Sequence, residues 1–510
     1  MKLPNVFPGE YRFVPAAYYA SNAAGLGMYV RYRRSDLKTV RKRSQDARHI
    51  WLEMPDREVL LVRMTHDQPV YPSEGTFDTF INLNFYQEQS ARDLGFDYYM
   101  TNYCDYLGKE HVSPRNREVR VPGSMSVISD SGGFQFLTGK LDYLDPVGLV
   151  NWYNENADIG MVLDMPVASR IRDPELHMKL ARLQRRNTVT MLEHAVPGLE
   201  FMNVVHGTTY EDKLRFHERV AHPKIRRLAV GGSYFDTVMS SIAAVLTLHQ
   251  EIGDHYDHYH FLGVTNLFQV LTYMRMAKLG LLPFVTSDSS TYYQKGASKE
   301  YLIQTRMTSN ISHLNIGQRD NVTSVHSMLP CSCPVCSNLR YVDALSNFGG
   351  SAISSATAFH NAYRYNEYLK AMAGVIDWPL PKLAKLLEQQ LGKRSSLKEG
   401  IKTLEFVDEV ASSGLGKAVR KFQYFLNYAG AQYRGTQSAV VGLFAAESDG
   451  PAVDSTTVID RAKFLLEQYA NPPTESVLKK EVLPGKKILS SRAKKRETKH
   501  VKPKAKKAKP

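Results

Sequence analysis

Cysteine is scarce in this chain, with four in 510 residues, far below the density of small secreted domains that rely on disulfides. Long apolar runs are missing too. None approaches the ~18 residues a membrane-spanning helix needs, and the opening MKLPNVFPGEYRF lacks the apolar stretch of a secretory signal. Acidic residues are in deficit, 51 against 65 Lys and Arg. The first two absences set aside disulfide scaffolds and helical membrane proteins, and the expectation is a soluble, cytoplasmic chain.

The charge deficit is local. Residues 479–510 hold 14 Lys and Arg against two Glu, so they carry +12 of the net +14 and leave +2 for residues 1–478. With almost no apolar content this tail is expected to be a disordered cationic arm. Such an arm binds phosphate backbones through counterion release without reading sequence, or merely keeps the terminus soluble. A second basic run, Arg31-Tyr-Arg33-Arg34 through Arg41-Lys42-Arg43, offers similar phosphate contacts or is a solvated helix face.

Three of the four cysteines fall together as Cys331-x-Cys333-x2-Cys336, and His360 follows after 23 further residues. Thiolate sulfur and imidazole nitrogen are the ligands tetrahedral Zn2+ prefers, and short spacings let one loop supply several. A reactive thiol cluster is the alternative. Four protein ligands leave no position for water, so the expected zinc is structural.

From about residue 125 to 290 short apolar runs end in a polar residue or glycine and are followed by helical stretches. The runs are Val127-Ile128, Met161-Val162-Leu163, Val204-Val205, Leu228-Ala229-Val230, Phe261-Leu262 and Phe284-Val285. Their ends carry Asp130, Asp164, His206, Gly231, Gly263 and Asp288, spaced 25 to 42 residues apart. This is βα spacing. Six units without a nucleotide-type glycine-rich opening favour a closed α/β fold, a (β/α)8 TIM barrel, over a doubly wound sheet. The expected divisions are an N-terminal region at 1–78, the barrel at 79–370 with a zinc-binding insertion at about 318–362, a helical extension at 371–470 and the Lys-rich tail at 471–510. Leu380, Leu383, Leu387 and Leu391 give the extension its helical period.

Asp130-Ser-Gly-Gly-Phe-Gln135 follows a strand, and its two glycines let backbone approach a flat ligand closely. With Ala229-Val-Gly-Gly232, strand-end Asp288, Cys-x-Cys-x2-Cys and His360-Asn361, it occurs in the order found in the tRNA-guanine transglycosylases, which the chain resembles over roughly residues 80 to 370. That family exchanges guanine for a 7-deazaguanine by double displacement at C1′. The resemblance implies Asp288 as nucleophile and Asp130 as the carboxylate that shuttles a proton to departing guanine and from the arriving base. It implies Asp164 as acceptor for the N1–H and 2-amino edge, Gly231 and Gly232 as amide donors to the base carbonyl, and Phe134 and Leu262 as the sandwich around the ring. Phe134 and Leu262 also read as ordinary core.

Three departures bear on the substrate. His206-Gly207 stands where tRNA-modifying relatives carry Gln-Gly; imidazole also donates to a carbonyl, or serves as a structural strand-end residue. Ser233-Tyr234-Phe235 replaces Leu-Ala-Val beside the 7-substituent. After Asp288 the chain reads Ser289-Ser-Thr-Tyr-Tyr-Gln-Lys295-Gly296, without the two arginines of the loop that grips an anticodon stem. Tyr292 and Tyr293 stack on any accessible base or pack locally. The resemblance is therefore to the DNA 7-deazaguanine transglycosylase branch, known in bacterial and phage DNA modification that evades restriction, with 7-cyano-7-deazaguanine as an example of the incoming base. Expected partners are DNA, with tRNA as the alternative, a free 7-deazaguanine base, and an optional second copy in a homodimer; no membrane is expected. Lys179, Arg182, Arg185 and Arg186 on one helix offer phosphate contacts or a solvated face. A non-catalytic nucleic-acid-binding subunit is the reading from another class. His255, His258 and His260 are read as no second metal site, because they straddle a loop and a strand start with no supporting carboxylate geometry beyond Asp254 and Asp257.

Overall fold

The computed structural model describes residues 6–16, 26–32, 49–54, 57–65, 68–69, 79–82, 96–105, 126–137, 141–171, 173–207, 210–231, 238–252, 255–264, 267–289, 300–302, 313–315, 351–391, 395–423, 426 and 455–472. Strand β1 (Tyr11–Pro15) is followed by β2 (Leu26–Tyr32), β3 (His49–Met54), β4 (Arg57–Thr65), β5 (Gln68–Pro69) and β6 (Thr79–Asn82). The last five form an antiparallel sheet in the order β3-β4-β2-β6, with β5 on β4.

The main sheet is parallel. Strands β7 (Tyr98–Asn102), β8 (Ser126–Asp130), β9 (Ile159–Met161), β10 (Glu200–Val205), β11 (Arg227–Val230), β12 (His258–Phe261) and β13 (Val285–Ser289) stand side by side in chain order, and β1 pairs with β13. An isolated parallel bridge from Ala16 to Met100 joins β1 to β7. Eight parallel strands thus run round a nearly closed TIM-like barrel, as expected. The six anticipated strands are all present. Two were not anticipated: β7, and β1, which lies inside the stretch expected only to lead into the barrel.

Helices wrap the outside. After β8 come α1 (Gly133–Leu137) and α2 (Pro146–Asn156), then α3 (Pro174–His194), α4 (Tyr210–Val220), α5 (Val238–Ile252) and α6 (Leu267–Lys278), each preceding the next strand. Beyond β13 follow a two-stranded hairpin of β14 (Glu300–Leu302) and β15 (His313–Asn315), then α7 (Ser351–Ala373), α8 (Leu380–Leu391), α9 (Ser395–Ser413) and α10 (Ser455–Ala470). Two helices start on the same local device. Asp145 accepts from Val147 and Gly148 amides ahead of Pro146, and Asp173 accepts from Glu175 and Leu176 amides ahead of Pro174. Aspartate satisfies otherwise orphaned first-turn N–H groups, and proline at the first helical position has no N–H to satisfy.

The strands are buried on both faces, as parallel strands covered by helices must be; Tyr98, Ile128, Met161, Val204, Leu228, Tyr259 and Val285 are all 2 % exposed or less. The expected helical extension packs on this barrel. Leu383 and Leu387 of α8 are fully buried. Arg275 of α6 holds Asp408 of α9 through two hydrogen bonds of 2.5 and 2.8 Å and reaches the Ile376 and Trp378 carbonyls. From α10, Arg461 bonds the carbonyls of Phe136 and Leu141, and Tyr469 bonds Leu144. No helix among the described residues is long and apolar enough to cross a membrane.

Candidate active site

The polar residues expected at strand ends do gather at the C-terminal mouth of the barrel, where enzymes of this architecture place their chemistry. Asp130 ends β8, Asp164 follows β9, His206 follows β10, Gly231 follows β11, and Leu262-Gly263 follow β12. Asp288 lies within β13 rather than past its end.

Asp288 is 7 % exposed. Its Oδ1 accepts two hydrogen bonds, from the Gly263 amide at 2.7 Å and from His260 Nε2 at 3.2 Å. The β12–α6 turn also fixes its backbone, since the Val264 amide donates to the Asp288 carbonyl at 2.8 Å. Gly263 makes this turn at φ +65°, a conformation that side-chain-bearing residues rarely adopt. Among the described residues Oδ2 takes no hydrogen bond. Within that set it is a buried carboxylate held by one oxygen.

Asp130 is half-buried, and Asn102, at the end of β7, donates to its Oδ2 at 2.9 Å. The same asparagine accepts from the Cys104 amide through Oδ1, which fixes its amide orientation. Next to it, Asp164 is 5 % exposed and receives a hydrogen bond on each oxygen: Ser131 Oγ at 2.6 Å on Oδ1 and His206 Nε2 at 2.8 Å on Oδ2. Each oxygen keeps a second lone pair, so the carboxylate still accepts from a ligand while its rotation is stopped.

The glycines lie close against neighbouring side chains. A Cβ on Gly133 would lie 2.4 Å from Asp164 Oδ1, and one on Gly132, whose φ is +81°, would lie 2.1 Å from Cys104 Sγ. A Cβ on Gly231 would meet the His206 ring at 2.5 Å. All three make room for site side chains. The Gly231 amide, which the resemblance implied as a donor to the base carbonyl, donates to the Val205 carbonyl at 2.9 Å in this structure. Gly232 lies outside the described residues.

His206 is committed to Asp164 through Nε2. With Nε2–H donated to Asp164, the neutral ring has only a lone pair at Nδ1, which accepts rather than donates. It donates to a carbonyl only as the imidazolium, with Asp164 as its counterion. Leu262 is partly buried against the core. Phe134 is in α1 but its side chain lies outside the described residues, as do Ser233, Tyr234, Phe235, Tyr292, Tyr293, Lys295, the 33–43 run and the tail. His360 is 1 % exposed on α7, while Cys331, Cys333 and Cys336 lie outside the described residues. On α3, Lys179 pairs with Glu175, Arg185 bonds the Ala221 carbonyl and Arg186 the Tyr469 carbonyl, so three of the four cations hold protein groups; Arg182 is exposed.

Beneath the mouth runs a polar column that the sequence reading missed. Arg227, 1 % exposed, donates through Nε to Glu200 at 2.6 Å and through NH1 to His258 Nδ1 at 2.8 Å. His258 Nε2 is 2.6 Å from Thr286 Oγ1, which lies 2.7 Å from His260 Nδ1. His258 and His260 alternate on β12 as Thr286 and Asp288 do on β13, so both pairs face the barrel interior. Burial, with Arg227 and His260 adding to it, holds His258 well below the usual imidazole range and keeps it neutral. No group of His, Cys, Asp and Glu among the described residues is arranged to hold a metal. No protein-family model matches this chain, and a search of curated proteins finds no match.

Proposed function

We propose that this chain is a DNA-guanine transglycosylase that exchanges guanine in DNA for a 7-deazaguanine base. The observation that supports it best is Asp288: a buried carboxylate at a barrel mouth, anchored among the described residues through Oδ1 alone, with Asp130 and Asp164 at strand ends of the same mouth. In the first displacement Asp288 Oδ2 bonds to C1′ as the C1′–N9 bond breaks, and the bond pair leaves with guanine, which takes a proton from Asp130. In the second, the incoming base attacks C1′ through N9, returns its proton to Asp130 and releases the Asp288 carboxylate. The two displacements retain configuration, as with paired carboxylates in retaining glycosidases. Asp164, fixed by Ser131 and His206, accepts from the N1–H and amino edge of the base.

DNA is preferred to tRNA because Ser289-Ser-Thr-Tyr-Tyr-Gln-Lys295-Gly296 offers one cation where an anticodon-gripping loop offers two arginines. The nucleotide must be extruded or single-stranded to reach the mouth, at a cost of about a few kcal/mol that phosphate contacts offset. Zinc belongs to the proposal as a structural ion. Three thiolates and the buried imidazole of His360 form a donor set suited to it, and it would supply folding energy rather than chemistry.

The test is nucleoside analysis by mass spectrometry of DNA and tRNA from cells containing the protein and a 7-deazaguanine precursor. Modified deoxynucleoside is expected, and its absence alongside modified tRNA would overturn the choice of polymer. Purified Asp288→Asn is expected to fold normally yet release no labelled guanine. Wild-type release rates from that variant would remove Asp288 from the nucleophile's role.

A further inference from the structure

The column below Asp288 has a direction, and hydrogen counting fixes it. Arg227 has only donors, so His258 Nδ1, at 2.8 Å from it, is an acceptor. A neutral His258 then carries its proton on Nε2 and donates to Thr286 Oγ1 at 2.6 Å. Thr286 is fully buried, and its single hydroxyl proton needs an acceptor. Among the described residues that acceptor is His260 Nδ1 at 2.7 Å. With Nδ1 accepting, His260 carries its proton on Nε2 and donates it to Asp288 Oδ1. Every bond from Arg227 upward therefore points the same way.

We infer that His260 is a positioning residue for Asp288, locked as the Nε2–H tautomer by Thr286, His258 and Arg227, so that Oδ1 is anchored and Oδ2 is the oxygen that attacks. The inference rests on Asp288 being the nucleophile. Two donors converge on Oδ1, the Gly263 amide from the turn above and the His260 ring from the barrel below. Together they fix the plane of the carboxylate. The reacting oxygen is aimed before substrate arrives, which is where enzymes gain most from orientation. Glu200 balances the Arg227 charge at the far end, so the column delivers an N–H to the nucleophile without delivering a net positive charge, and the carboxylate keeps its nucleophilicity.

The full-length protein labelled with 15N-histidine tests this. Ring nitrogen spectra, assigned with His258→Gln and His260→Gln, are expected to show both histidines with Nε2 protonated and Nδ1 bare. An Nδ1-protonated or doubly protonated His260 in the wild type would overturn the relay. Thr286→Val is expected to change the His260 ring signature and to lower kcat for base exchange on the order of 100-fold, with KM for the incoming base little changed. Thr286→Ser, which keeps the hydroxyl, should restore most of kcat. Equal loss in Thr286→Val and Thr286→Ser would mean packing, not hydrogen bonding, and would also overturn it. If the wild type exchanges no base, the proposed function fails, while the ring spectra still decide the relay.

Discussion

Adding one methyl at Gly133 would place carbon 2.4 Å from Asp164 Oδ1, and that carboxylate has nowhere to retreat because Ser131 and His206 hold both its oxygens. Gly133→Ala is therefore expected to cost about 1–3 kcal/mol in stability, the usual range for overpacking, and to raise KM for the base more than it lowers kcat. Thermal denaturation and exchange kinetics check both parts, and an unchanged KM would show that Asp164 does not read the base. The strand-end acids were legible in the sequence because each follows a short apolar run. Their partners were not. Ser131, Asn102, His260 and Thr286 are ordinary polar residues until the strand register sets β12 beside β13, and register is a property of the folded sheet. The glycines of Asp-Ser-Gly-Gly were legible as close approaches, but what approaches them is a side chain of the protein itself.

Helices outside the barrel are tied to it and to one another by a few well-buried arginines. Arg275 is 4 % exposed, and its guanidinium joins α6 to α9 through Asp408 and to the α7–α8 connection through the Ile376 and Trp378 carbonyls. Breaking a buried pair costs about 3–5 kcal/mol; Asp408 keeps 30 % exposure and finds water, so Arg275→Ala is expected to cost less, about 2–3 kcal/mol. Urea unfolding measures this, and a loss below about 0.5 kcal/mol, the range of ordinary surface substitutions, would show that α9 does not depend on the clamp. Leucine periodicity announced α8 correctly, since a helix that buries one stripe writes that stripe into its sequence. β1 escaped for the opposite reason. The five residues Tyr11–Pro15, with no helical pattern next to them, carry no period long enough to read.

Across the whole molecule, burial keeps several histidines neutral. His258 is held well below the ordinary range by burial beside Arg227 and His260, His217 is lowered to about 4 by burial with His255 adding, and His177 is lowered by burial. In the unfolded chain each titrates near ~6.5. Between those values the unfolded state binds more protons than the folded one, so stability is fully present above about pH 6.5 and falls as pH drops through that window. Denaturation midpoints should be lower at pH 5 than at pH 7.5; an equal or higher midpoint at pH 5 would contradict the neutral assignment. The barrel class was legible in the βα spacing, whereas the way it closes was not, because β1 and β13 are remote in sequence and adjacent in space.

That closure sets a timetable. Val14 sits beside Asp288 in the register of β1 on β13, so the strand of the proposed nucleophile is flanked on one side by a segment synthesised 274 residues earlier. At about 5–20 residues per second, β1 waits roughly 14–55 s on the ribosome for its neighbour. Until then the barrel is an open sheet with a gap between β12 and β1, and the carboxylate of Asp288 has not been made. Under the proposed function, catalytic competence and topological completion arrive together, because the strand that closes the sheet is the one that carries Asp288.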